Sequence, residues 1–167
     1  MKTGVYPGSF DPMTLGHLDL IERGSRVVDR LVVAVLNNSA KNPMFSIEER
    51  MQLLRQGTAH LQNVEICAFD GLLVDFVRQQ QAQVVIRGLR AVTDFEYELQ
   101  MAQANRSMFP AMETIFLTTQ AEYSFVSSSI VKDVLRHNGD IEHFVPQSIL
   151  NTIYQMRRRQ NGSTDGN

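Results

Sequence analysis

The feature that most constrains the fold is a repeated alternation between short apolar runs and longer segments with helical spacing. Five runs are β-branched or aromatic and nearly continuous in apolarity, at residues 4–6, 31–36, 64–69, 84–86 and 114–117. Strands that are covered on both faces of a parallel sheet have this composition. The alternation therefore predicts an α/β fold, a doubly wound five-stranded parallel sheet with helices on both faces.

Capping signals indicate where several of the helices begin and end. Ser46 to Glu49 forms a capping box at one helix start, and Thr93 to Glu96 has the same pattern. Asn138-Gly139 predicts the end of a helix that begins near Ser129, and Pro146 suits the first turn of a last helix.

Composition limits the class of protein. The 167 residues predict a single domain over 1–159, followed by a polar, disordered tail over 160–167. A net charge of -2 and a pI near 6.1 argue against nucleic-acid and membrane-surface partners. Cys67 is the only cysteine, which excludes an internal disulfide. The start of the chain has no signal-peptide pattern, and no apolar stretch approaches the roughly 20 residues that span a bilayer, so we expect a cytoplasmic protein.

The loop after the first strand is a candidate site. In the usual order of such sheets, strands one and four are neighbours, and ligands bind beyond their carboxyl ends. The loop contains two prolines and Gly8, and Gly16-His17 then opens a helix whose first amides could bind an anion. There His17 could donate a hydrogen bond to a phosphoryl oxygen. The alternative is that His17 only packs with Leu20 and Ile21 on its own helix face.

The loop after the fourth strand is the second candidate. In Arg87-Gly88-Leu89-Arg90, the glycine would let the chain turn, and each arginine could bind a phosphate through two nitrogens. The alternative is a pair of solvated arginines. Glu98, on the following helix, is either part of the site or a surface charge.

Two further loops reach the same edge of the predicted sheet. Ser127, Ser128 and Ser129 stand at a helix start, where hydroxyls and free amides could bind a polyphosphate or could simply cap the helix. Lys41, after the second strand, could bind a phosphate or be an ordinary exposed lysine.

Several other chemistries are disfavoured by missing patterns. The sequence has neither G-x-x-x-x-G-K-[ST] nor G-x-G-x-x-G, which disfavours a P-loop kinase and a dinucleotide oxidoreductase. Its other histidines form no metal-ligand pattern with Cys67, so no protein metal site is predicted. Ser9 lacks a nucleophile elbow, which argues against a hydrolase.

Taken together, these motifs resemble a known superfamily. Gly8 to Pro12, followed by Thr14 to His17, resembles the signature of nucleotidyltransferases with the T/H-x-G-H motif, and Ser127 to Ser129 resembles their second motif. More narrowly, a resemblance to phosphopantetheine adenylyltransferases is carried by Lys41 to Arg50, by Ile86 to Ala91 with Asp94 to Glu98, and by Tyr123 to Ser129. The likeness extends from about residue 5 to residue 146 and implies a Rossmann-like fold.

The resemblance also implies roles for individual residues. His17 would stabilise the transition state, and Lys41 and Arg90 would act with it. The acceptor, 4'-phosphopantetheine, would be bound by Ser9, Lys41, Leu73 and Arg87. ATP would be bound by Ser9, Phe10, His17, Gly88, Leu89, Arg90, Glu98, Tyr123, Ser124, Phe125, Val126, Ser127, Ser128 and Ser129.

The reaction implied by the resemblance is in-line attack of the acceptor phosphate on the α-phosphorus of ATP, giving dephospho-CoA and pyrophosphate with Mg2+. A homohexamer and feedback inhibition by CoA are implied as well. Asn42 stands where some relatives have a second lysine, and Val126 stands where isoleucine is common. The open alternatives are another acceptor, such as nicotinate mononucleotide or glycerol 3-phosphate, and a nucleotide-binding regulator without catalysis.

Overall fold

The core of the protein is a parallel sheet. A computed structural model describes residues 1–37 and 42–162, without the side chains of residues 92 and 93. The strands pair in the order β3-β2-β1-β4-β5, all parallel. The predicted α/β class and the adjacency of the first and fourth strands are confirmed. The strands are β1 Thr3–Gly8, β2 Arg30–Leu36, β3 Val64–Phe69, β4 Val84–Leu89 and β5 Glu113–Thr118.

Helices cover both faces of this sheet. Neighbouring residues of one strand enter different cores, so that Val5 packs with the core on one face and Tyr6 with the core on the other. The predicted two-sided coverage is therefore confirmed. The helices are α1 Leu15–Ser25, α2 Ile47–Gly57, α3 Leu73–Gln79, α4 Val92–Met108, α5 Ser128–Arg136 and α6 Gln147–Gly162, with a 3-10 turn at Ala121–Tyr123.

Two strands continue two or three residues beyond the carboxyl ends of the predicted runs. β1 continues through Pro7 and Gly8, which pair with β2, and β4 continues through Arg87 to Leu89, which pair with β5. The prediction that Gly88 turns the chain is therefore wrong. Gly88 is instead the point where Leu20 packs on the strand, because a Cβ at Gly88 would lie 2.3 Å from Cδ1 of Leu20.

The helix ends follow the capping signals at α2 and α5, whereas Pro146 lies just before α6, which begins at Gln147. Ser46 and Glu49 form the predicted reciprocal box, and Asn138 adopts the left-handed conformation (φ 56°) that ends α5. The predicted box at Thr93 is wrong, since α4 begins at Val92 and its N-cap is Ala91. The helix α6 continues to Gly162, and residues 163–167 lie outside the described chain. The single domain over 1–159 stays a prediction.

Candidate active site

A cleft of about 390 Å³ opens at the carboxyl ends of β1 and β4. This is where a doubly wound sheet places its ligands. Of the predicted site residues, the cleft is lined by Ser9, Phe10, His17, Arg87, Gly88, Arg90, Glu98, Val126, Ser127, Ser128 and Ser129.

Other predicted residues do not line the cleft. Leu89 ends β4, where its carbonyl accepts a hydrogen bond from the amide of Thr119. Leu73 begins α3 and packs partly against the core of its own sheet face. Tyr123, Ser124 and Phe125 form the turn before α5, and Phe125 is 60% exposed. Lys41 lies outside the described residues.

The loop after β1 is held in shape by Phe10. This residue has a positive φ of 48°, and its ring is buried between Tyr6 and His17, with ring centres 5.4 and 5.0 Å away. A Cβ at Gly8 would lie 2.9 Å from the Phe10 ring, so glycine allows the ring to close over the strand end. Phe10 therefore shapes the cleft by packing against Tyr6 and His17, and its buried ring presents little surface to a ligand.

The side chain of His17 is oriented by the helix cap of α1. Nδ1 of His17 accepts the backbone amide of Thr14 at 3.0 Å, and the His17 amide donates to Oγ1 of Thr14. An imidazole nitrogen that accepts a hydrogen bond carries no proton, so the proton of neutral His17 is on Nε2. His17 can therefore act as a hydrogen-bond donor through Nε2.

The electrostatics of the cleft keep this imidazole neutral. Burial, with a smaller effect from the Arg90 guanidinium, lowers the pKa of His17 from 6.5 to about 4. Arg90 itself is partly exposed and hydrogen-bonds Asp94 through its backbone amide and its Nε. At neutral pH, His17 is consequently a donor without charge, whereas Arg90 supplies charge.

Arg87 and Glu98 form a two-pronged ion pair beside the cleft. Nε and Nη2 of Arg87 donate to the two carboxylate oxygens of Glu98 at 2.7 and 2.5 Å, and Nη1 donates to the carbonyl of Pro7. Burial works to lower the pKa of Arg87, but the hydrogen bond and the charge of Glu98 prevail and raise it. The pair fixes the Arg87 fork at the ends of β1 and β4.

The three serines at the start of α5 differ in their hydrogen bonds. Oγ of Ser127 accepts the amide of Ile130 and so caps the helix, and Oγ of Ser128 donates to the carbonyl of Pro12. Among the described residues, the hydroxyl of Ser129 and the amides of Ser128 and Ser129 have no hydrogen-bond partner. These groups at a helix start are suited to an anion.

Sequence reasoning missed a buried carboxylate in the cleft. Asp11 is 4% exposed and accepts the amides of Met44 and Phe45 at 3.0 and 2.9 Å. It also pairs with Lys132 of α5, whose Nζ lies 2.9 Å from Oδ2. Asp11 thus joins the loop after β1 to the end of the segment before α2 and to α5.

Arg50 was missed as well. It is 3% exposed, lines the cleft from α2 and donates to the carbonyl of Ser9 at 2.8 Å. Helical spacing in the sequence indicated the burial of Arg50. It lies three, four and seven residues before Leu53, Leu54 and Gly57, which are buried on the same helix face.

The described residues contain no cluster of metal ligands and no membrane-spanning helix. Over 1–37 and 42–162, no group of three or more histidine, cysteine, aspartate and glutamate side chains could hold a metal ion. None of the helices in these ranges is both long and apolar enough to cross a membrane.

A family model gives the class of protein that this fold and cleft define. The cytidylyltransferase-like family matches residues 5–134, which span the sheet and the first turns of α5. The chain belongs to this nucleotidyltransferase family.

Curated relatives narrow the assignment. Proteins named phosphopantetheine adenylyltransferase are 54% identical in Lachnoclostridium phytofermentans, over 92% of this chain and 94% of the relative, and 55% identical in a Nostoc species, over 90% and 79%. One from a Synechococcus species is 57% identical over 89% and 90%. Within the wider family, the chain belongs to the phosphopantetheine adenylyltransferases.

A solved structure agrees with the fold. A crystal structure from Vibrio parahaemolyticus, provisionally named a nicotinate-nucleotide adenylyltransferase, superposes with a TM-score of 0.71 over 92% of this chain and 99% of the other. At 15% identity, this likeness concerns the fold alone.

Proposed function

We propose that this protein transfers the adenylyl group of ATP to 4'-phosphopantetheine, giving dephospho-CoA and pyrophosphate, a step of CoA biosynthesis. The observation that carries the proposal is the cleft itself. A neutral His17 donor, two arginines and an open serine-rich helix start lie at one sheet edge, in a chain 54% identical over 92% of its length to a protein of that name.

The proposed chemistry needs no protein nucleophile. An oxygen of the acceptor phosphate, already ionised near pH 7, attacks the α-phosphorus of ATP in line, and the bond to the β-phosphate oxygen breaks. Nε2 of His17 donates to the α-phosphoryl oxygen on which charge grows, and Lys41 and Arg90 add positive charge nearby. Catalysis then comes from positioning and charge stabilisation.

The two substrates divide the cleft. ATP would lie on the side of β4 and α5, where Gly88, Leu89, Arg90, Glu98 and the segment 123–129 surround it, with Ser9, Phe10 and His17 below. The acceptor would lie toward the loops after β1, β2 and β3, near Ser9, Lys41, Leu73 and Arg87. The Arg87–Glu98 pair joins residues that we assign to different substrates, so it would lie between them.

We propose Mg2+ as the metal of the reaction. No cluster of metal ligands forms within residues 1–37 and 42–162, so a Mg2+ ion would be held by the phosphates of ATP and by water. Its charge would offset the negative charge of the departing pyrophosphate.

Pyrophosphate release from a panel of acceptors tests this function. Purified protein, ATP and Mg2+ are mixed with 4'-phosphopantetheine, nicotinate mononucleotide or glycerol 3-phosphate. We expect rapid release with phosphopantetheine alone. Faster release with nicotinate mononucleotide would replace the proposed acceptor, and no release with any acceptor would favour a non-catalytic nucleotide binder.

We further propose that the protein assembles as a homohexamer. The helix α4 leaves five large apolar side chains 37–61% exposed, which is unusual for a surface that faces only water. Light scattering behind size exclusion would give the mass, and charged substitutions on α4 would lower it. A monomeric mass for the wild type would contradict this proposal. The five exposed apolar side chains of α4 are those of Phe95, Tyr97, Leu99, Met101 and Met108.

CoA is proposed as a feedback inhibitor, since it contains the product with one more phosphate and would compete for the same cleft. Inhibition that rises with CoA and falls with added phosphopantetheine is expected.

The cytoplasm is the proposed compartment because ATP is supplied there, and cell fractionation would test it.

A further inference from the structure

We infer that Arg50 is a positioning residue that sets the specificity for the acceptor's phosphate. It places a buried positive charge next to the backbone of Ser9 and hydrogen-bonds the residues on either side of the segment 37–45. The inference rests on the proposed function. Arg50 lies in the first turn of α2, is 3% exposed and lines the cleft beside Ser9 and Asn42.

The first step of the argument is the set of groups that Arg50 binds. Its Nη1 donates to the carbonyl of Ser9 at 2.8 Å and more weakly to that of Leu36 at 3.5 Å, and its Nε donates to the carbonyl of Ser46 at 3.3 Å. Leu36 ends β2 and Ser46 caps α2, so these carbonyls flank the segment 37–45 on both sides. One guanidinium therefore joins this segment to the loop after β1.

The second step concerns charge. Within residues 1–37 and 42–162, no carboxylate forms an ion pair with Arg50, and its Nη2 has no hydrogen-bond acceptor. The charges of Asp11 and, less strongly, of Glu48 act on Arg50 without forming an ion pair with it, and Asp11 is already paired with Lys132. A buried cation whose hydrogen bonds go only to carbonyl oxygens, and which has no carboxylate in contact, still attracts an anion in the cleft.

The third step identifies the anion. Ser9 is the residue that we assign to the acceptor phosphate as well as to ATP, and Arg50 bonds the Ser9 carbonyl from behind. Lys41, the other acceptor residue, belongs to the segment whose ends Arg50 holds. The charge and the contacts of Arg50 therefore act on the acceptor side, and a phosphorylated acceptor gains from them more than an unphosphorylated one.

The test compares binding of 4'-phosphopantetheine and pantetheine, which differ only in the phosphate. Arg50→Gln removes the charge, and Arg50→Lys keeps the charge but loses the fork that reaches three carbonyls. Arg50→Met is a second uncharged variant, chosen because methionine is unbranched and flexible enough to fill an irregular buried space. Arg55→Gln makes the same change at an exposed position of the same helix and is the matched control.

By calorimetry without ATP, Arg50→Gln and Arg50→Met should lose about 10-fold or more in affinity for phosphopantetheine, because each removes a positive charge that attracts the phosphate. Pantetheine and ATP should change by less than about 3-fold. Arg50→Lys should keep most of the preference for the phosphorylated acceptor and lose mainly kcat.

Two results would overturn the inference and leave Arg50 a structural residue. One is an equal loss of affinity for phosphopantetheine and pantetheine, and the other is an unchanged preference for phosphopantetheine over pantetheine in the uncharged variants. An Arg50→Lys protein that loses the preference as completely as Arg50→Met would overturn it as well. Because binding is measured without turnover, these outcomes are separate from the proposed function, which fails only if the wild type releases no pyrophosphate with phosphopantetheine.

Discussion

The backbone amide of Thr14 donates to Nδ1 of His17 at 3.0 Å, inside the capping box that starts α1. This one bond connects the local rules of helix capping to the proposed chemistry, because it places the proton of the neutral ring on Nε2. Thr14, which caps the helix, therefore sets the orientation of His17, the residue that we propose stabilises the transition state.

Substitution of His17 should reduce turnover far more than binding. His17→Ala removes a donor that acts on developing charge, so kcat should fall about 10²–10³-fold or more. The affinity for ATP should change less, since many groups hold the ground state. His143→Ala, at a side chain that is 84% exposed, serves as the control. An alanine variant with almost wild-type kcat would mean that His17 only packs with Leu20 and Ile21.

Acid should destabilise the protein through His17. Its pKa is about 4 when folded and 6.5 in the unfolded chain, so the unfolded state binds more protons between these values. The free energy of unfolding is therefore fully maintained above pH 6.5 and falls as the pH drops toward 4, through this residue by at most about 3 kcal/mol.

Urea unfolding at several pH values, with His17→Gln alongside, measures this effect. The glutamine variant should show a flatter decline between pH 6.5 and 4, because it has no group to titrate there. Parallel declines in the two proteins, or an NMR titration of the free protein that places the pKa of His17 near 6.5, would contradict the description of the cleft.

Lys41 and Arg87 should matter more for the acceptor than for ATP. Lys41→Ala and Arg87→Ala each remove a charge-assisted phosphate contact, at a cost of about 1.5–3 kcal/mol in phosphopantetheine binding. Because Arg87→Ala leaves Glu98, a residue that we assign to ATP, without its partner, Glu98→Gln is measured alone as the control and gives the loss in ATP affinity that comes from Glu98. Calorimetry with each ligand separately decides the assignment, and equal losses for both ligands would show that it is wrong.

The serines of α5 offer a comparison within one helix start. Ser127→Ala removes the cap and should cost about 0.5–2 kcal/mol of stability. Ser129→Ala removes a hydroxyl that has no partner among the described residues, so the melting temperature should move little. Its loss should appear as a smaller preference for ATP over AMP, which lacks the β- and γ-phosphates. If Ser129→Ala keeps the full preference, the hydroxyl does not contact those phosphates.

The sheet could be predicted because its signals are local. β-Branched runs and the loop chemistry between them indicate strands and their carboxyl ends, and these ends meet at one edge by the geometry of parallel strands. The ends of β1 and β4 were placed too early, because Pro7 and Gly88 are usually breakers. Whether a breaker is tolerated depends on the neighbouring strand and on Leu20, which no local pattern contains.

The charged network of the cleft could be predicted only in part. His17 and Arg87 stand in short motifs, whereas Asp11, Arg50 and Lys132 also bind distant partners, with Arg50 and Ser9 separated by 41 residues and Asp11 and Lys132 by 121. Spacing alone cannot show such contacts. The buried face that Arg50 shares with Leu53 was the one local sign, and an arginine at that position of an amphipathic helix normally extends to the solvent.

Phosphorus NMR of a single reaction mixture tests the central claim most directly. Wild-type protein, ATP, Mg2+ and 4'-phosphopantetheine are incubated, with pantetheine as the control acceptor. Attack at the α-phosphorus predicts dephospho-CoA and pyrophosphate in equal amounts, and no product from pantetheine. Formation of ADP would instead place the attack at the γ-phosphate, and either that result or the absence of dephospho-CoA would contradict adenylyl transfer.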